Sequence, residues 1–280
     1  MTHSSFFNPV YAAMVESLDQ SLGRLQDFLN ETGLAKNTIL IFYSDNGGYA
    51  LATSNEPPRG SKGNLYEGGI RVPMIVKWPQ VITGGRETDV VVSGVDLFPT
   101  FKELLEGATP VEALDGESLV SLWKSEPHDL HERPIFWYEP VYLDSYDSAR
   151  YERDKITHLI ELTSYGRIKQ KRSVEALPGE AYPAWRLVPA ACVRKGDYKL
   201  IRYLEYDSLE LYNLKEDPSE SVNLVGSRPG IVQDLTKALS QWATQTGASL
   251  ALKPNPSFDP KSTRNYKTGE KVKTGTTKKK

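Results

Sequence analysis

An apolar run, Thr38-Ile39-Leu40-Ile41-Phe42, stops on Ser44-Asp45-Asn46-Gly47-Gly48 and is fed by one long amphipathic stripe. In the stripe, Val10, Met14, Leu18, Leu22, Leu25 and Leu29 recur every three or four residues. It follows Asn8 as N-cap and Pro9 at the first helical position, and it ends near Gly33. The spacing predicts a long helix running into a strand buried on both faces, as parallel strands are. That pairing is half of a βαβ unit, so the strand expected before the helix is missing from this reading.

Further along, Ile70–Pro79 and Thr88–Asp96 read as two more strands. Asp96 reads as the cap of a helix through Leu97, Phe101, Leu104 and Leu105 that stops at Gly107. Strands alternating with helices imply an α/β fold with a doubly wound sheet. The pattern changes after about residue 125. The runs RPIFWY, AACVRK, YKLIRYL and LELYNL are short strands separated by turn signals, with Gly196-Asp197 between two of them. They imply a smaller C-terminal α+β domain with an antiparallel sheet. Ser227, Pro229, Ile231, Leu235, Leu239 and Trp242 make a closing helix. The expected organisation is therefore residues 1–125, residues 126–250 and a tail, 251–280, whose Lys, Thr, Gly and Pro composition predicts disorder.

The formal net charge of -2 over 280 residues hides an asymmetry: residues 253–280 carry +7 and the rest -9. An acidic globular part argues against a nucleic-acid-binding face. The tail reads as a solvated extension, with a polyanion-binding arm as the weaker alternative. Cys192 is the only cysteine, which excludes an intrachain disulfide. No apolar run is long enough for a membrane span, and the first residues lack the pattern of an export signal.

Two spots carry chemistry. Asp45 and Asn46 offer hard oxygen ligands where a strand stops, the place ligands collect in open α/β sheets. A plain turn explains the same residues, and on spacing alone both readings stand. Lys62, in Arg59-Gly60-Ser61-Lys62-Gly63, is flanked by glycines that let backbone approach an anion, and its ammonium suits sulfate or phosphate. The alternative is a solvated surface lysine. His128 and His131 read as a polar linker rather than a metal pair. His3 lies near a terminus and His158 stands alone. Trp123, Phe136, Trp137, Tyr198 and Tyr212 are expected to pack the second sheet.

Taken together, IFYSDNGG followed by RGSKGNLYEGGIRVPMIVKWP resembles the sulfatase family of the alkaline-phosphatase-like superfamily. The resemblance extends to NPVYAAMVESLDQSLGRL, DLFPTF and VRKGDYKLI with ELYNLKEDPSESVNL, over roughly residues 8–245. It implies a partial alkaline-phosphatase-like sheet and hydrolysis of aryl or carbohydrate sulfate esters. It implies Asp45 and Asn46 as ligands of a divalent cation, calcium or alternatively magnesium, and Lys62 as the sulfate contact. Glu67 and Arg71 belong to the same signature and read as loop-bracing residues.

The family's nucleophile is a formylglycine made from a Cys/Ser-x-Pro-x-Arg motif, and no such motif occurs here. Cys192 is followed by Val-Arg-Lys, and the Pro-spaced Ser125 and Ser227 lack the arginine. The chain thus resembles the C-terminal portion of a sulfatase, expected to be inactive alone. A truncated reading of a longer gene, a split enzyme completed by an N-terminal sulfatase chain, and a non-catalytic binder of sulfated polymers all fit. Relatives are commonly exported, and many carry histidines where this chain has Tyr138, Glu139 and Val141.

Overall fold

The structure, a computed structural model, describes residues 8–49, 52–107, 114–140, 189–204 and 207–251. His3, Val141, His158 and the basic tail lie outside them.

Helix α1, Pro9–Glu31, starts as its sequence dictates, with Asn8 Oδ1 accepting from the amides of Val10 and Tyr11 at 3.1 Å. It is released by Gly33 at φ +74°. A short 3₁₀ turn leads to β1, Leu40–Tyr43. Strand β1 pairs antiparallel with β2, Met74–Lys77, in register Leu40 with Lys77 and Tyr43 with Met74. The parallel pairing and two-sided burial expected of β1 are not what these residues adopt. Ile41, Met74 and Val76 pack against a core of Leu119, Leu122, Trp123 and Leu130, while Tyr43 and Ile75 are exposed.

Thr88–Asp96, expected as a strand, forms none: its last three residues, Gly94–Asp96, make a 3₁₀ turn. Val90 and Val92 pack on that same core, but among the described residues no strand offers them a backbone ladder. Apolar burial without a hydrogen-bonded partner leaves an irregular segment rather than a strand. Asp96 is likewise not a side-chain cap for α3, Leu97–Glu106. Its fully buried carboxylate accepts from Ser93 N–H at 2.7 Å and Glu117 N–H at 3.0 Å, and receives both terminal nitrogens of Arg133. A bidentate guanidinium outcompetes a helix end as partner for a buried carboxylate.

After a single turn of helix α4, Val120–Lys124, comes a four-stranded antiparallel sheet in the order β3-β4-β5-β6: Pro134–Glu139, Ala190–Lys195, Tyr198–Tyr203 and Ser208–Asn213. Its period-two alternation sorts two faces. Ala191, Val193, Leu200 and Leu211 meet Leu235 and Leu239 of α5, Pro229–Thr246. Phe136 stacks on Trp242 with centroids 5.0 Å apart. The opposite face, with Ala190, Cys192, Ile201, Tyr203 and Tyr212, packs against Leu65 and Tyr66, which precede α2, Glu67–Ile70. Trp123 departs from expectation: it sits edge-on to Trp78 at 6.2 Å, in the core beneath β1 and β2.

Candidate active site

The loop after β1 and the loop from Arg59 to Ile70 are bonded to each other through backbone. Gly47 N–H donates to Gly69 O at 2.9 Å, and Lys62 N–H donates to Gly48 O at 3.0 Å. Asn55 clamps the same spot, accepting from Gly48 N–H at 2.8 Å and donating to Gly48 O at 2.9 Å. The approach is too close for side chains. A Cβ on Gly47 would stand 1.9 Å from Gly68 O, and one on Gly68 would stand 2.3 Å from Gly60 O. Gly47, Gly68 and Gly69 are thus required by contact between backbones, and Gly48 by the side chains of Thr53 and Asn55.

The Lys62 backbone, on the second loop, is thereby bonded to Gly48, two positions after Asn46 in the first, and both Lys62 and Asp45 are exposed. Asp45 Oδ1 accepts from Asn46 N–H at 2.9 Å, a turn-like contact. Asn46 Nδ2 donates to Gly47 O at 3.1 Å, which uses the nitrogen of the amide within the loop. The turn reading and the ligand reading are therefore compatible. One carboxylate and one amide fall short of the six or more oxygens calcium takes. Among the described residues no group of three or more His, Cys, Asp or Glu could hold a metal ion. Asp45 and Asn46 fit part of a cation's shell, with the remaining ligands from elsewhere.

The other candidates fall away from this spot. Cys192 is buried in β4, and burial pushes its thiol up to about 12, against any nucleophilic role. His131 is half exposed, with Nδ1 3.0 Å from Glu132 and Nε2 3.7 Å from Asp197, in the linker expected of it. Tyr138 donates to Ser249 O at 2.6 Å on the α5 side of the sheet.

A buried polar network lies beneath the Lys62 loop; of its charged members only Glu67, read as a loop-bracing residue, was singled out in the sequence. Glu67 Oε1 is 3.0 Å from Lys199 Nζ, Glu67 Oε2 is 3.3 Å from Arg194, and Lys199 Nζ is 2.5 Å from Glu220 Oε1. Glu67, Lys199 and Glu220 are each essentially sealed from solvent. Burial would lower the Lys199 ammonium, but Glu220 and Glu67 outweigh it and hold it above its usual range. Beside this network, Tyr66 and Tyr212 each donate to Glu210 Oε2 at 2.9 Å, and Arg59 lies 4.0 Å over the Tyr66 ring. The signal was present in YKLIRY: alternation puts Lys199 on the inward face with Ile201 and Tyr203, and an inward lysine demands an anion.

Comparison with known proteins returns mainly sulfatases, with a phosphonate monoester hydrolase of Agrobacterium radiobacter among the structural neighbours at a TM-score of 0.51 and 20% identity. The family model described as Sulfatase matches residues 8–108, and that described as N-sulphoglucosamine sulphohydrolase, C-terminal, matches residues 61–173. A sulfatase of Formosa agariphila is 33% identical over 260 residues, covering 86% of this chain and 41% of that protein. Human steryl-sulfatase is 34% identical over 146 residues, 49% of this chain and 25% of its own length. Among solved structures, Ps i-CgsB in complex with k-i-k-neocarrahexaose superposes with a TM-score of 0.62 at 25% identity, over 89% of this chain and 46% of that one. The chain spans less than half the length of each of these proteins.

Proposed function

The chain belongs to the sulfatase family, and from that premise we propose that residues 8–251 are the part of a sulfuric ester hydrolase that grips the sulfate ester, not the part that attacks it. Asp45 and Asn46 are two ligands of a divalent cation, calcium or alternatively magnesium, and Lys62 contacts the sulfate group. The observation that carries this reading is the bond from Lys62 N–H to Gly48 O, which holds the lysine beside the Asp45-Asn46 turn. A divalent cation held by Asp45 and Asn46 would supply Lewis-acid stabilisation of negative charge on the sulfuryl oxygens. Lys62 adds a positive point charge on the same developing anion, from a loop that needs no reorganisation.

The nucleophile, a formylglycine, and the remaining acidic ligands belong to polypeptide outside this sequence, equivalent to the portion of the relatives it does not span. Aryl and carbohydrate sulfates are the substrate classes. A steryl-sulfatase among the relatives and a structural neighbour holding a carbohydrate support that range. Producing the chain together with a sulfatase segment bearing Cys/Ser-x-Pro-x-Arg, and assaying a chromogenic aryl sulfate in calcium, tests the proposal. Turnover and co-purification are expected, and turnover is to fall at least about a hundredfold with Asp45→Ala or Lys62→Ala while co-purification persists. Turnover indifferent to both substitutions would refute it.

A second reading, a non-catalytic binder of sulfated polymers, is favoured by the +7 tail alone. Heparin retention lost on deleting residues 253–280, with no activity in the co-produced pair, would support it instead.

A further inference from the structure

The Lys62 loop is anchored at its far end by a residue from the last quarter of the chain. Glu220 reaches it twice: Oε2 accepts from the Glu67 N–H at 2.6 Å, and its backbone oxygen accepts from Arg59 at 3.1 Å. Arg59 and Glu67 bracket Lys62 on either side, so one residue fixes both shoulders of the loop. Gly68 N–H closes the bracket by donating to Arg59 O at 2.6 Å.

Glu220 is also held in a conformation that needs explaining. Its φ is +51°, in the left-handed region, where a side chain with a Cβ is disfavoured by about 1 kcal/mol. The turn that aims it inward is built by Asp217, which accepts from the Ser221 and Val222 amides at 2.7 and 2.8 Å. Asn213 and Asn223 brace the same segment from either side, accepting from Glu216 N–H at 3.3 Å and Leu211 N–H at 3.0 Å. Three polar side chains therefore hold one buried carboxylate in place. Lys199 balances it at 2.5 Å, and Arg194 balances Glu67.

We propose that Glu220, paired with Lys199, is a positioning residue for Lys62, setting the loop's seat from the second sheet, some 158 residues along the chain, without touching substrate. The inference rests on Lys62 being the sulfate contact only for its functional meaning. The mooring itself is independent of that. It also assigns a task to the NLKEDPSESVNL segment, which is to throw Glu220 under the loop.

The test is residue-resolved amide hydrogen exchange on the full chain, comparing Glu220→Gln, Glu220→Asp and Lys62→Ala. Both Glu220 variants are expected to exchange about tenfold faster at Gly47, Lys62 and Gly68, with the amides inside α5 within twofold of the parent. No change at those three amides, an equal rise throughout α5 and β4–β6, or unfolding of both variants would overturn the proposal, since each describes a merely structural role or none. Lys62→Ala is expected to leave the exchange pattern alone while removing aryl sulfate binding. A parent chain that binds no aryl sulfate, yet loosens locally in the Glu220 variants, would refute the proposed function and leave the mooring standing.

Discussion

At the scale of single residues, exposure separates what Lys62 does from what its neighbours do. Lys62 is exposed while Ser61, Asn64, Leu65, Tyr66 and Glu67 are buried, so Lys62→Ala is expected to change stability by no more than about 0.5 kcal/mol. Urea denaturation measures this. Gly68→Ala is the contrasting case: the added carbon meets the Gly60 carbonyl, at an expected cost of about 1–3 kcal/mol in the same experiment. Glu220 carries the pH dependence. Burial, opposed by Lys199, pushes its carboxyl up to about 7 from an ordinary 4.5, among Glu67, Lys199, Arg194 and Arg59. A folded state that keeps its proton longer than the unfolded chain loses stability as pH rises between those two values. Thermal melts from pH 4.5 to 7 are expected to show that decline and to show it flattened in Glu220→Gln; an unchanged slope would count against the assignment. Asp45, Asn46 and Lys62 could be proposed from sequence because turn residues and glycines punctuate the chain locally. Glu220 offered no such signal, because its partners lie on β5 and on a loop far away in sequence, and a glutamate in the polar run KEDPSES reads as solvated surface.

At the scale of elements, local signals carried the helices and the second sheet, and pairing partners decided the rest. Asn8-Pro9 and Gly33 bound α1, and the Gly196-Asp197 turn sets β4 against β5, since these are short-range chemistry. Thr88–Asp96 and the expected parallel pairing of β1 failed because strand formation requires a neighbour that no local pattern announces. Asp96 was misread for a related reason: its partner Arg133 lies 37 positions on. Asp96→Asn removes the charge that a buried Arg133 faces, and is expected to cost about 3–5 kcal/mol by urea denaturation. The helices leave apolar faces uncovered. No residue of α1 is buried, Met14 is 64% exposed, and Leu105 of α3 is 85% exposed. Faces of that kind favour association. Replacing Met14 and Leu18 with Glu is expected to raise the soluble yield of the isolated chain with little loss of cooperative unfolding, checked by size-exclusion chromatography and thermal melting. A loss of folding would show that these faces are covered in the chain itself.

At the scale of the whole molecule, a loop that carries the proposed sulfate contact is built from two parts of the fold at once: backbone bonds to the β1 turn on one side, buried charges from the second sheet on the other. The boundary proposed near residue 125 therefore divides the sequence more cleanly than it divides the site. The isolated chain, whose sequence holds no Cys/Ser-x-Pro-x-Arg motif, is expected to hydrolyse a chromogenic aryl sulfate in calcium no faster than buffer, whereas the ester should still be held. Titrating the isotopically labelled chain with an aryl sulfate in calcium, and following its amide resonances, tests that claim most directly. The account predicts saturable shifts confined to residues 45–48 and 60–64 that vanish in Lys62→Ala. Saturable shifts elsewhere with none at those residues, or shifts there that survive the substitution, would contradict it.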